Sequence, residues 1–169
     1  MTTANLIFLT QARANLSLFV LKRADRISKQ VGFGYRDVAN APETYASLMQ
    51  AWETSKRTRA PFPVWSGGSD KTIYTSIGAN YAFRFWHDSL HALLGLDFTL
   101  LDEVTIGHMQ ADAVAKEFGH GSLEHSLMHF DTVGQSLYAD RNSGEFPEDQ
   151  LAFVVSQIRW NEETAQVAA

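Results

Sequence analysis

Apolar residues recur at three- and four-residue steps through most of this chain, which is the spacing of one face of an α-helix. Over residues 4–30 they are Leu6, Leu9, Ala12, Leu16, Phe19, Val20 and Ile27, and Gly32 and Gly34 end the run. Residues 42–56 predict a second helix, with Tyr45, Leu48, Met49 and Trp52 on one face and Pro42 suited to its first turn. Residues 81–94 predict a third, stopped by Gly95. Thr99 then reads as the N-cap of a fourth, with Asp102 and Glu103 in the first turn where the helix dipole favours anions. That helix runs through Val104, Gly107, Ala111, Ala115 and Phe118 to Gly119. Ser122 caps a fifth through Leu123, Leu127, Phe130, Gly134 and Leu137, broken at Asn142-Ser143-Gly144. Pro147 opens the last, with Leu151, Val154, Val155 and Ile158 inward.

The helical rhythm fails between residues 59 and 80. Pro61 and Pro63, followed by the turn signal Ser66-Gly67-Gly68-Ser69, predict an irregular loop there. Residues 71–77 alternate like a strand, but one short strand has nothing to pair with and is read as extended loop. The expectation is a mainly α protein, a single compact domain of five or six helices over residues 1–160. Basic helices occupy 1–58, an acidic and histidine-rich helical core occupies 80–160, and residues 161–169 form a flexible tail.

Composition alters this picture only where it is uneven. The chain has 169 residues, 45% of them hydrophobic and 12% aromatic, enough for one core. It contains no cysteine, which excludes disulfides, thiolate metal ligands and cysteine nucleophiles. Its apolar runs, residues 6–9 and 16–21, are far shorter than the roughly 18 residues a membrane span needs. A cytoplasmic protein with no membrane partner is expected. The formal charge of -5 hides a net +5 in residues 1–60 and a net -10 in the remainder. The basic third, with Lys22, Arg26 and Lys29 as a stripe on the first helix, is expected to neutralise the acidic body; the other reading gives it a nucleic-acid or phosphorylated partner.

All six histidines fall between His87 and His129. His87 and His91 stand four apart, so one helix face presents both imidazoles, a spacing that suits two nitrogen ligands on one metal. Phe83, Phe85 and Trp86 mark that helix as buried, and a buried imidazole needs a partner. Asp88, one position round, offers three roles: bridging a second ion, orienting a histidine, or pairing with Arg84. Glu103 begins the next helix, and a short turn at residues 95–99 brings it towards His91; Gly107, one turn on, leaves room beside it. His125 and His129 repeat the four-residue spacing, while Asp131 and Gln135 are candidates for buried polar groups. His120 between two glycines is read as a helix-terminus residue, and His108 with Asp112 as an exposed pair.

The His87-Asp88 doublet resembles that of the HD metal-dependent phosphohydrolases, which are also all-α. Those proteins carry a further histidine on an earlier helix and a late aspartate. Asp131 stands where the late aspartate would, but no histidine precedes His87. The resemblance covers two adjacent residues and implies no activity. Ferritin-like di-iron proteins need Glu-x-x-His on two helices, and this chain has none. P-loop, dinucleotide-fold and nucleophile-elbow motifs are missing as well.

The functional expectation is a helical hydrolase dependent on a divalent metal (zinc, iron or manganese). His87, His91 and Glu103 are the ligands, and Asp88, Glu103 and Asp131 the catalytic or supporting carboxylates. Such an ion activates water, and a phosphoester or nucleotide substrate suits the basic third. An oxidative iron site of the same composition is the close variant. The competing expectation is a non-enzymatic accessory or regulatory factor, of the kind a mobile element carries, binding protein or nucleic acid through its basic N-terminal helix.

Overall fold

The computed structural model describes the backbone of residues 3–167 and the side chains of residues 5–158. In chain order the elements are α1 (Thr3–Val31), β1 (Tyr35–Val38), α2 (Tyr45–Thr58), β2 (Phe62–Trp65), α3 (Ile77–Leu94) and α4 (Leu100–Phe118). They continue with α5 (Leu123–His129), a π-helical turn (Phe130–Gly134), α6 (Gln135–Arg141) and α7 (Gln150–Val167). Since α5, the π turn and α6 follow without a break, the described residues make a mainly α fold of six helices with one small sheet. Among them no helix is long and apolar enough to cross a membrane. The side chains of the expected tail, and its last two residues altogether, lie outside the described residues.

Local chemistry explains where the helices begin. Thr44 and Ser47 form a reciprocal capping box at α2, so this helix starts at Tyr45 and Pro42 precedes it. Ser76 accepts from the Ala79 N–H, which starts α3 at Ile77, four residues before the apolar pattern becomes visible. Thr99 and Ser122 cap α4 and α5 as their sequence predicts, accepting from the N–H groups of Asp102 and His125. Gly95 ends α3 in the left-handed conformation at φ 70°, which costs glycine no Cβ clash and turns the chain sharply towards α4.

The expected loop contains an element the pattern did not announce. β1 and β2 pair in parallel, with Tyr35 opposite Phe62 and Val38 opposite Trp65. Neither four-residue strand has a signal strong enough to read alone, and the partners lie on opposite sides of α2. Pro63 is tolerated because a two-stranded sheet has a free edge for a residue that donates no hydrogen bond. What fixes the pair is the core beneath it. Phe85 of α3 stacks on Tyr35 at 4.9 Å and meets Phe62 and Phe33 at 6.2 and 6.5 Å. Phe62 and Phe85 are fully buried, and each such ring contributes about 2–3 kcal/mol.

Helix α1 packs mainly on α3 and pins the segment that precedes it. Arg13 donates to the carbonyls of Thr72, Ile73 and Tyr74 at 3.0–3.2 Å, and Ser17 Oγ accepts from the Thr75 N–H at 2.9 Å. Residues 71–76 are thus an ordered loop that bends along its whole length rather than the extended one expected, and Tyr74 is carried into the core. Lys29 pairs with Asp25 and Lys56 with Glu53, each on its own helix, while Lys22 and Arg26 are exposed. Among the described residues no ion pair joins the basic third to the acidic body. Local i,i+4 and i,i+3 neighbours engage Lys29 and Lys56, while Arg23 of α1 feels the charge of Glu117 of α4.

Candidate metal centre

Two adjoining helix ends build the centre. His87 and His91 project from one face of α3, and Glu103 stands in the first turn of α4 just beyond the Gly95 reversal. The two imidazole Nε2 atoms are 3.0 Å apart. Glu103 Oε2 lies 3.2 Å from His87 Nε2, and its Oε1 lies 3.4 Å from His91 Nε2. Ligands with bonds of about 2.0–2.2 Å at tetrahedral or octahedral angles stand roughly 3.0–3.4 Å from one another. The three side chains therefore have the spacing of one coordination sphere, and among the described residues they form a group that could hold a metal ion.

Hydrogen bonds behind the imidazoles decide which nitrogens face inward. His91 Nδ1 lies 3.0 Å from the Leu96 carbonyl, which can only accept, so Nδ1 donates and Nε2 is left towards the cluster. His87 Nδ1 donates likewise to Gln110 Oε1 at 3.2 Å. Such outer partners set the tautomer a metal-binding histidine needs. Gln110 is fully buried, and its Nε2 has no hydrogen-bond partner. Phe98 meets the His91 ring edge-on at 4.7 Å, and Phe83 lies 6.0 Å from His87. His91 is wholly buried, whereas His87 and Glu103 keep 21% and 25% of their side-chain surface exposed. The cluster is thus held from one side and reachable from the other.

Electrostatics follow the same geometry. Burial disfavours charge on His87, but the hydrogen bond and charge of Glu103, helped by Asp88 and Gln110, win and raise its pKa to about 9. Burial pushes Glu103 up, yet hydrogen bonds from His87 and His91 pull it down to about 2. Asp88, beside them on α3, is raised to about 6 by burial, against the pull of His87 and His91.

Asp88 and Asp131 do not enter the cluster. Asp88 has no ion pair with Arg84, whose guanidinium instead bonds the Trp65 carbonyl and lies 4.8 Å over the Trp65 ring. Asp131 sits in the π turn, buried, accepting from the Tyr74 hydroxyl at 3.3 Å and from Gln135 Nε2 at 2.8 Å. Gly107 does not make space beside Glu103. A Cβ there would meet Val133 Cγ2 at 2.8 Å, so its small size serves the contact of α4 with the π turn. His108 makes no ion pair with Asp112 and lies against the His129 ring at 5.5 Å, while His120 lies against His125 at 5.5 Å.

Gln110 and Leu96 escape the sequence reading. Gln110 lies seven residues after Glu103, two turns on along one helix face, and that spacing was its only sign. A backbone carbonyl such as that of Leu96 has none. Fold and site together define a mainly α protein with a two-histidine, one-carboxylate centre. Compared with protein-family profiles, curated proteins and solved structures, the chain matches none.

Proposed function

We propose that the protein is a metal-dependent hydrolase whose divalent ion is held by His87, His91 and Glu103. The observation that supports this reading is the convergence of two tautomer-fixed imidazole nitrogens and a carboxylate within 3.0–3.4 Å. Two histidines and one glutamate are a ligand set of catalytic zinc sites, where three protein ligands leave a position for water or substrate. When bound, the ion supplies Lewis acidity and activated water. The chain's own part is to orient both imidazoles through Leu96 and Gln110 and to wall the site with Phe83 and Phe98. It also leaves the His87–Glu103 edge accessible. Asp88, raised by burial and adjoining that edge, is placed to exchange a proton with a reacting group.

Charge supports a phosphoester or nucleotide substrate. Two neutral imidazoles and one carboxylate leave a divalent ion with a net positive charge, which favours an anionic oxygen. Untagged protein should purify with, or take up, about one equivalent of zinc, iron or manganese, and should hydrolyse an activated phosphodiester. Glu103→Gln and His87→Ala should lose both the metal and the activity. Metal content and turnover unchanged in both variants would refute the assignment, and metal loss without any hydrolysis in the wild type would retain the site but reject the chemistry.

A further inference from the structure

The other four histidines gather where α4 packs on α5. His129 is the middle of the group: its ring lies 5.5 Å from that of His108 on α4 and 6.4 Å from that of His125, one turn earlier on α5. His120, in the turn before α5, lies 5.5 Å beyond His125. Among the described residues none of these imidazoles is ion-paired with a carboxylate. His129 thus faces one imidazole on each of the two packed helices, and Asp112 acts on His125 through its charge without an ion pair.

We infer that His108, His125 and His129 form a second divalent-metal site, separate from the His87 cluster and suited to imidazole-seeking ions such as zinc, nickel or copper. Helix α5 fixes the four-residue spacing of His125 and His129, which places two imidazoles on one face for chelation, and α4 brings the third. The rings stand somewhat further apart than the 4.8 Å between those of His87 and His91. A shared ion requires the side chains to rotate, for which there is room because His108 is exposed and His125 and His129 are partly so. His125 gives up a 3.2 Å hydrogen bond from the Gly121 N–H as it turns, and water can replace it at that exposed glycine. Burial and the neighbouring histidines hold His125 and His129 below the ordinary histidine pKa, with Asp112 opposing at His125, so their lone pairs are free at neutral pH.

The test uses the untagged full chain and zinc alone, with bound metal measured after equilibrium dialysis. Wild type should bind about one equivalent more than the His125→Ala/His129→Ala variant. With copper as the probe, electron paramagnetic resonance of wild type should show, beside the signal of the His87 cluster, a second set of imidazole nitrogen couplings that this variant lacks. Equal zinc stoichiometry in the two proteins overturns the inference. His108→Ala provides the same comparison at an exposed position if the double variant does not fold. Loss of metal in Glu103→Gln alone concerns the His87 cluster, so failure of one site is not mistaken for failure of the other.

Discussion

Asp131 shows how burial can reverse the preferred state of a side chain. Both its oxygens are engaged, by Tyr74 and by Gln135, yet removal from water outweighs these bonds and lifts the carboxyl from 3.8 to about 7. The folded protein therefore keeps the proton over a range where the unfolded chain releases it. That contribution to stability is complete below about pH 4 and is lost as pH rises through about 7. Asp131→Asn, which has the same shape and no charge to lose, should abolish this slope. Urea midpoints from pH 4 to 8 should show wild type losing ground to the variant as pH rises, and parallel profiles would contradict the account. The site histidines make a related point. His91 reads in the sequence as one of six, and a single carbonyl, that of Leu96, leaves its Nε2 lone pair facing His87 and Glu103.

At the scale of elements, the contact between α4 and the π turn is a tight constraint. Alanine at an ordinary mid-helix glycine stabilises by about 1 kcal/mol. At Gly107 its Cβ would fall 2.8 Å from Val133 Cγ2 and 3.1 Å from the Val133 backbone nitrogen, neither of which can swing away. Overpacking of that kind costs about 1–3 kcal/mol, so the balance tips to a loss. Gly107→Ala should lower the urea midpoint, and a gain near 1 kcal/mol would show that the π turn yields. The π turn itself aims Asp131 at Tyr74, and Tyr74 is carried there by the loop that Arg13 binds. The β1–β2 pair belongs to this scale too. Its strands became readable only once Phe85 was known to lie under both Tyr35 and Phe62.

For the whole molecule, the candidate centre ties α3 to α4, and only the folded chain gathers its three ligands. An ion that binds the folded state at about a hundred times its dissociation constant stabilises by about 2.7 kcal/mol. In a chain of this length that corresponds to a rise in Tm of roughly 5–10 °C. Calorimetry with zinc and with a chelator should show the shift in wild type and a smaller one in Glu103→Gln, and equal shifts would detach Glu103 from the ion. The apolar rhythm alone determined the helical class and the starts of α4 and α5, because 3.6-residue periodicity and N-caps are local properties. It also determined that a tight metal site would be built from histidine and carboxylate, since no cysteine exists, and it put His87, His91 and Glu103 forward. Tertiary structure decided what depends on contacts between distant residues. It joined β1 to β2, turned Gln110 and Leu96 onto the imidazoles, left Asp88 beside the three ligands without joining them, and bonded Asp131 to Tyr74 and Gln135. It also brought His108 against His129 and His120 against His125, beside the pair whose four-residue spacing was already legible, because approach between elements leaves no trace in local spacing.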